Sequence, residues 1–128
     1  MEKFTIKTTR GKQVVDITEK VNDIVKKKIS GTCHLFVTHT TCALTTADLD
    51  PGTDEDMLEA FDKMIPKMKF RHPHDPSHTP DHILSSMIGT SITIPVENGE
   101  LVLGTWQRVV LIEFNGPRER EIVVSFQE

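Results

Sequence analysis

Four prolines lie close together in the middle of this chain, and they limit its fold more than any other sequence feature. They stand at positions 66, 73, 76 and 80. Proline lacks a backbone N–H and has a fixed φ, so residues 66–80 cannot form a regular helix or a central strand. The chain is therefore predicted to be divided by an irregular segment, with regular elements on either side.

Before this segment, alternating apolar residues predict four strands. These strands are expected at residues 3–8, 13–16, 32–38 and 42–46. The first two flank a turn at 10–12, which predicts that they pair as a hairpin. Apolar residues spaced by three and four predict one helix over 18–28, capped by Thr18, and a second that Thr53 caps and Pro66 ends.

After the segment, Pro80 is well placed to open a third helix, which Gly89 ends. A strand is expected at 91–96, and Asn98-Gly99 is the strongest hairpin signal in the chain. One or two strands follow within 101–114, and a last one at 121–126. The order ββ-α-ββ-α-α-βββ predicts an α+β domain, with mostly antiparallel strands packed as a sheet or sandwich.

Size and composition indicate one globular domain over residues 1–128. The net charge of −4 does not favour nucleic acid or an anionic membrane as a partner. No apolar run approaches the roughly 20 residues of a membrane helix, and the start of the chain does not resemble a signal peptide, so a cytoplasmic location is expected. Cys33 and Cys42 lie in predicted strands and are expected to be reduced and buried.

Histidines are the most suggestive polar residues, because they bind metals and exchange protons near neutral pH. Four of the six lie between positions 72 and 82. His74, His78 and His82 have the spacing of one helix face, but the prolines remove that interpretation for His74 and His78. No zinc-binding motif accompanies them. A metal or proton-transfer site and a solvated, proline-stiffened loop are equally consistent with this spacing.

Other candidates are weaker when each is taken alone. His39 follows a buried strand and is followed by two threonines; it could face a pocket, although a core histidine bonded to a backbone carbonyl is more common. Gly104 precedes the only tryptophan, Trp106, where a bulge with a core tryptophan is the usual outcome. Arg118 could bind phosphate or carboxylate but is also typical of an exposed turn. Asp54 and Asp56 could bind magnesium, although a helix N-terminus explains them better.

Together these segments resemble the YjbQ-like family. The resemblance is collinear from about residue 30 to the end. Its distinctive parts are His39-Thr40-Thr41 and Leu103-Gly104-Thr105-Trp106-Gln107, supported by Asp50-Pro51, Arg71-His72, Pro80-Asp81-His82 and Gly116-Pro117-Arg118. Many members have an Asn-Glu-Asn run where this chain has Ala47-Asp48-Leu49, and many have a longer loop between the residues that match His72 and His82.

The resemblance implies a β-sandwich core and a homotrimer with pockets near subunit interfaces. It implies that His39, His72 and His82 act as catalytic residues or as ligands of a divalent metal, zinc or magnesium. It also implies a substrate-binding set, namely Thr40, Asp48, Thr105, Trp106, Gln107 and Arg118. His74 and His78 have no family counterpart.

Members of this family are often labelled secondary thiamine-phosphate synthases. That label implies a transferase, which joins a pyrimidine methyl diphosphate to a thiazole phosphate and releases diphosphate. Two alternatives use the same residues. One is a trimer that binds a metal or a small phosphorylated metabolite without turnover, and the other is a histidine-metal hydrolase or phosphatase.

Overall fold

The computed structural model describes residues 1–128, which form eight strands and three α-helices. The strands are β1 Glu2–Lys7, β2 Gln13–Asp16, β3 Ser30–Val37, β4 Cys42–Ala47, β5 Ser91–Glu97, β6 Glu100–Leu101, β7 Arg108–Glu113 and β8 Glu119–Gln127. The helices are α1 Thr18–Val25, α2 Thr53–Met64 and α3 Thr79–Ile88, with a 3₁₀ turn at Pro76–His78. The predicted α+β class is confirmed, and the one or two strands expected within 101–114 are β6 and β7, with residues 102–107 between them.

The strands form two antiparallel sheets. One has five strands in the order β1-β8-β3-β5-β6, and the other has three in the order β2-β7-β4. The main core lies between them and includes Leu35, Leu111 and Ile122, each at most 1% exposed. Strand β7 is apolar on both faces, because its outer face packs Val110 and Ile112 against α2 and α3. Its continuous apolar run therefore indicates a central strand covered on both sides.

The predicted hairpin of the first two strands is wrong. Strand β1 pairs with β8 in the five-stranded sheet, whereas β2 pairs with β7 in the three-stranded sheet. The intervening segment crosses between the sheets and is held by Thr8, whose Oγ1 donates to Glu113 Oε1 at 2.7 Å. Local alternation identifies a strand, but the choice of neighbour depends on long-range pairing that alternation does not encode.

The helix caps also differ from the prediction. Helix α1 ends at Val25 rather than residue 28, and neither Thr18 nor Thr53 caps a helix with its side chain. Thr18 instead donates to Asp16 Oδ1 at 2.6 Å and accepts from the Val109 amide at 2.8 Å, which ties α1 to β7. The Thr18 hydroxyl therefore makes a contact with β7 instead of capping helix α1.

Two further connections cross between the sheets near the edge where residues 8–12 already cross. Residues 38–41 connect β3 of the five-stranded sheet with β4 of the three-stranded sheet, and residues 114–118 connect β7 with β8. Both connections therefore meet where the two sheets come together. Helix α3 packs against β4 beside them, with Ser85 Oγ donating to the Cys42 carbonyl at 2.6 Å.

Cys33 and Cys42 are both unpaired and buried, as predicted. Burial raises the pKa of each thiol to about 11. None of the three helices is both long enough and apolar enough to span a membrane.

Candidate functional site

A surface cleft of about 570 Å³ lies between the end of β3 and helix α3. It contains two of the three histidines predicted as catalytic, His39 and His82, together with Thr40. Phe36 supplies an apolar wall, and Ser85 and Ser86 line the helix side. Two imidazoles from distant parts of the sequence thus share one opening, because both chain crossings and α3 meet at this edge.

His82 is held in a defined orientation by a backbone carbonyl. Its Nδ1 donates to the Thr40 carbonyl at 3.0 Å. In the neutral ring the proton is therefore on Nδ1, and Nε2 keeps a free lone pair. An imidazole fixed in this way is suited to accept a proton or to bind a metal through Nε2.

His39 is held by a backbone amide instead. Its Nε2 accepts a hydrogen bond from the Glu121 amide at 2.9 Å, so the neutral ring carries its proton on Nδ1. Desolvation, followed by the positive charge of Arg120, lowers the pKa of His39 below its ordinary value. His39 is thus kept neutral by its surroundings. The expected bond to a carbonyl is replaced by a bond from an amide.

His72 does not line the cleft, but its ring stacks on that of His82. The ring centroids are 5.2 Å apart and the planes differ by 20°. His72 Nδ1 accepts from the amides of His74 and Asp75, both at 3.3 Å, so its neutral ring carries the proton on Nε2. The structure therefore brings His39, His72 and His82 to one region, where two present N–H donors and His82 presents an acceptor.

This arrangement does not fit a metal centre built from the three histidines. A neutral imidazole has one lone pair on nitrogen, and those of His39 and His72 already accept backbone N–H groups. Only His82 has a nitrogen free to ligate. No group of three or more His, Cys, Asp or Glu side chains in the chain is placed to hold a metal ion.

The other two clustered histidines lie in the irregular segment. His74 is exposed, whereas His78 is held between two carboxylates, with Nε2 2.9 Å from Asp75 Oδ2 and Nδ1 3.3 Å from Asp81 Oδ2. Asp81 is 5% exposed and also pairs with Lys12, with 2.6 Å between Oδ1 and Nζ. This network fixes the start of α3, the helix that carries His82.

A buried ion pair beneath the cleft was not among the residues predicted from sequence. Glu113 at the end of β7 and Arg120 in β8 are 0% and 1% exposed, and their side chains form a two-pronged pair that joins the two sheets. Burial tends to raise the pKa of Glu113, but hydrogen bonds from Arg120, Thr8 and the Asn115 amide lower it overall. The available signal was a glutamate directly after the apolar run of β7, with a matching arginine in β8.

Arg118 lies at the same edge and is exposed. Its amide donates to Thr8 Oγ1 at 2.9 Å and its Nε donates to the Asn115 carbonyl at 2.8 Å. Its charge contributes, after that of Arg120, to lowering the pKa of His39. Arg118 therefore acts on His39 through its charge, and its terminal nitrogens are free to bind an anion at this edge.

The remaining predicted residues lie at the opposite end of the β4–β7 ladder. Cys42 pairs with Glu113 at one end and Ala47 with Arg108 at the other, five residues along each strand, which corresponds to about 17 Å. We call the first the histidine end, comprising His39, Thr40, His72, His82 and Arg118. The second is the tryptophan end, comprising Asp48, Thr105, Trp106 and Gln107.

At the tryptophan end, the expectation of a core tryptophan is wrong, because Trp106 is 73% exposed. Gln107 is fixed by two bonds: Oε1 accepts from the Gly104 amide at 3.0 Å, and Nε2 donates to Thr46 Oγ1 at 2.9 Å. Asp48 and Thr105 are exposed. A methyl group on Gly104 would meet only the side chain of Gln107, at an ordinary contact distance of 3.5 Å, so no backbone packs closely against this glycine.

The largest surface groove, about 860 Å³, lies elsewhere, beside the end of α2. Its polar lining is mainly lysine, at positions 63, 67 and 69, and it contains none of the predicted site residues. It is larger but lacks converging acid-base groups, so the cleft at the histidine end is the better candidate site.

Comparison with known proteins places this architecture in one family. The sequence pattern of the family described as UPF0047 protein YjbQ-like matches residues 2–128. A UPF0047 protein of Archaeoglobus fulgidus is 37% identical over 123 residues, which covers 95% of this chain and 97% of that protein. The UPF0047 protein YugU of Bacillus subtilis is 37% identical over 128 residues, covering 98% and 97%.

Solved structures agree with this assignment. A YbjQ-like protein of unknown function from Sulfolobus solfataricus superposes with a TM-score of 0.90 at 33% identity, covering 98% of this chain and 94% of that one. A hypothetical protein from Aeropyrum pernix gives a TM-score of 0.90 at 34% identity, covering 98% and 96%. This chain therefore belongs to the YjbQ-like UPF0047 family.

Proposed function

We propose that the cleft at the histidine end binds a small phosphorylated metabolite, and that His82 transfers a proton during its conversion. The observation that carries this proposal is the bond from His82 Nδ1 to the Thr40 carbonyl, which leaves Nε2 as an acceptor. His39 Nδ1 and His72 Nε2 supply N–H donors nearby, suited to phosphoryl oxygens. The acceptor nitrogen of His82 can take up a proton, and the neighbouring N–H donors can stabilise the negative charge that develops on the ligand.

The specific reaction that we propose to test is thiamine-phosphate synthesis. In that reaction the thiazole nitrogen attacks the methylene carbon of the pyrimidine. The carbon–oxygen bond breaks, and diphosphate leaves with the electron pair, taking up a proton that His82 Nε2 has accepted from solvent. The N–H donor of His72 would stabilise the diphosphate oxygens as charge builds up, whereas the N–H donor of His39, with Arg118 at the same edge, would hold the phosphate of the thiazole partner. This assignment rests on the family resemblance together with the donors and acceptor of the cleft.

Hydrolysis of a phosphate ester is the second candidate, and the same free nitrogen of His82 supports it. An imidazole held by a carbonyl can take a proton from water, whose oxygen attacks phosphorus while the ester P–O bond breaks. The departing ester oxygen takes the electron pair and then receives the proton from His82. The predicted zinc or magnesium ion does not fit the present lone-pair arrangement, so neither candidate is routed through it. Elemental analysis of the purified protein tests the metal prediction directly.

One assay separates these candidates. The protein is incubated with both thiamine precursors, and the joined product and released diphosphate are measured for wild type, His82→Ala and His74→Ala. His74 is the matched control, because it is an exposed histidine outside the cleft. We expect His82→Ala to lose activity and His74→Ala to keep it. Equal rates of product formation in wild type and His82→Ala would contradict the transferase proposal. Release of diphosphate without the joined product would indicate a hydrolase.

We further propose that the active unit is a homotrimer in which the tryptophan end of one copy meets the histidine end of the next. The β4–β7 ladder that separates the two sets of predicted residues is about 17 Å long, which is too far for both sets to contact one small substrate within one chain. A head-to-tail contact would unite them, and such a contact forms a ring when its rotation closes. Light scattering is expected to give three times the chain mass of 14.5 kDa.

A further inference from the structure

The feature that the proposed function leaves unexplained is the free end of Arg120, a residue that is only 1% exposed. Nε donates to both Glu113 oxygens, and Nη2 donates to Glu113, to the Thr41 carbonyl and to Thr41 Oγ1 at 2.8 Å. Nη1 donates to no atom of the chain, yet it is not sealed off from solvent. Because buried polar groups are normally hydrogen-bonded, the unpaired Nη1 of this buried cation is expected to bind an acceptor from outside the chain.

The backbone places Arg120 next to the residue that holds His39. Arg120 directly precedes Glu121, whose amide binds His39 Nε2 at 2.9 Å. On the other side, Arg120 holds Thr41, which lies two residues after His39. Arg118 lies two residues before Arg120, and its side chain bonds the chain only through Nε, so both of its terminal nitrogens remain free. We call the set of His39, Arg118 and Arg120 the His39 corner.

We propose that the His39 corner is a subsite for one phosphoryl group, with Arg120 as its buried anchor. This rests on the proposed function, because it names the part of the metabolite that the cleft holds. Arginine N–H groups and the His39 Nδ1–H are all donors, which matches the acceptor-only oxygens of a phosphate. Planar guanidinium groups hold such oxygens with defined geometry.

The charges around the His39 corner determine whether it favours a single phosphoryl group or a diphosphate. Glu113 neutralises Arg120, and Glu121 lies beside Thr38, with 3.4 Å between Oε1 and the Thr38 hydroxyl. The corner therefore supplies directed donors with little net positive charge. Directed donors favour a single phosphoryl group over the more highly charged diphosphate. In the proposed transfer, this corner would hold the phosphate that is retained, rather than the diphosphate that leaves.

The test is an NMR titration of the ¹⁵N-labelled full-length protein with inorganic phosphate and, separately, with diphosphate. We expect saturable shifts of the Glu121 amide, the Arg120 Nε–H and the His39 ring nitrogens, with phosphate bound more tightly than diphosphate. Arg118→Gln and Arg120→Lys should each weaken phosphate binding by about tenfold to hundredfold, the effect of losing a charged hydrogen bond. The control is Lys20→Gln, which removes the same charge from exposed α1 and should change nothing.

Several results would overturn the subsite. They are an absence of saturable shifts at Glu121, tighter binding of diphosphate, or the same weakening in Lys20→Gln as in Arg118→Gln. If Arg120→Lys does not fold, the wild type supplies the test instead. An NMR signal of the Arg120 Nε–H that does not shift at saturating phosphate would also overturn the subsite. His82→Ala should still bind phosphate, so loss of turnover without loss of binding separates failure of the proposed function from failure of the subsite.

Discussion

The two ends of β7 show how one strand can carry two kinds of ion pair with different consequences. At the tryptophan end, Arg108 pairs with Asp16 at 2.9 Å, and both side chains are 36% exposed. At the histidine end, Glu113 pairs with Arg120, and both are essentially inaccessible. Water screens the first pair and not the second, so the first adds little while the second fixes the geometry of the site. The contrast separates a screened pair at the surface from a buried pair beside the candidate site.

The largest predicted effect tests this contrast directly. Glu113→Ala leaves the Arg120 guanidinium buried without its partner, which should lower the free energy of unfolding by about 3–5 kcal/mol. Arg108→Ala, the matched change at the other end of β7, should cost about 0–1 kcal/mol. Urea denaturation of both variants measures the difference. Equal losses of unfolding free energy in the two variants would contradict the difference between the buried and the exposed pair.

The double variant Glu113→Met/Arg120→Met sharpens the same point. Replacing both charges by apolar groups of similar size removes the desolvation cost together with the pair, so stability should recover most of the loss. Phosphate binding at the His39 corner should not recover, because the Nη1 donor is gone. A stable double variant that binds phosphate like the wild type would show that the pair does not serve the site.

The next effect concerns the tryptophan end. Trp106 is 73% exposed, and Val102 on the same loop is 50% exposed, an apolar surface suited to a partner copy. Trp106→Ala should weaken assembly by about 2 kcal/mol, which is roughly a 30-fold rise in the dissociation constant. Light scattering over a dilution series measures this, with Met68→Ala as a control for an exposed apolar residue outside the proposed contact. Unchanged assembly in Trp106→Ala would contradict the head-to-tail arrangement.

The contrast between the two ends also explains what sequence could and could not predict. Alternation, turn dipeptides and proline positions located the elements, since these signals are local. The hairpin of β1 and β2 failed, because each strand found its partner near the other end of the chain. The meeting of His39 and His82 came from the family resemblance, and Arg120 was missed because its only signal, the glutamate at the end of the apolar run of β7, lies in another strand. Trp106 was expected in the core because tryptophan is usually buried, but it is 73% exposed.

A smaller effect is expected at the junction between α3 and β4. Ser85 is 2% exposed and donates to the Cys42 carbonyl at 2.6 Å, one turn after His82. Ser85→Ala removes the donor and leaves that carbonyl without this partner, at a cost of about 1 kcal/mol. Ser86→Ala, the exposed neighbour, is the control and should cost nothing measurable. Thermal unfolding of both variants measures the difference, and equal melting temperatures would show that this bond does not hold α3 in place.

The smallest effect is a pH dependence that is specific to the histidine end. The folded protein lowers the pKa of His39, through desolvation and then Arg120, whereas the unfolded chain returns it to about 6.5. Between these two values the unfolded state binds more protons, so stability is lost as pH falls below about 6.5 and is regained above it. Glu113 and Glu121 act in the opposite direction, and Arg118 acts with Arg120, which keeps the net change small.

His39→Gln tests this effect, because a glutamine oxygen can accept the Glu121 amide but does not titrate. The difference in unfolding free energy between wild type and His39→Gln, measured from about pH 7.5 down to about pH 5, cancels the other histidines. We expect the advantage of the wild type to shrink as the pH falls. A difference that stays flat would mean that folding leaves the pKa of His39 unchanged, and a difference that grows with acidification would mean that folding raises it. In the second case a protonated His39 would add a positive charge to the corner, which favours diphosphate over a single phosphoryl group.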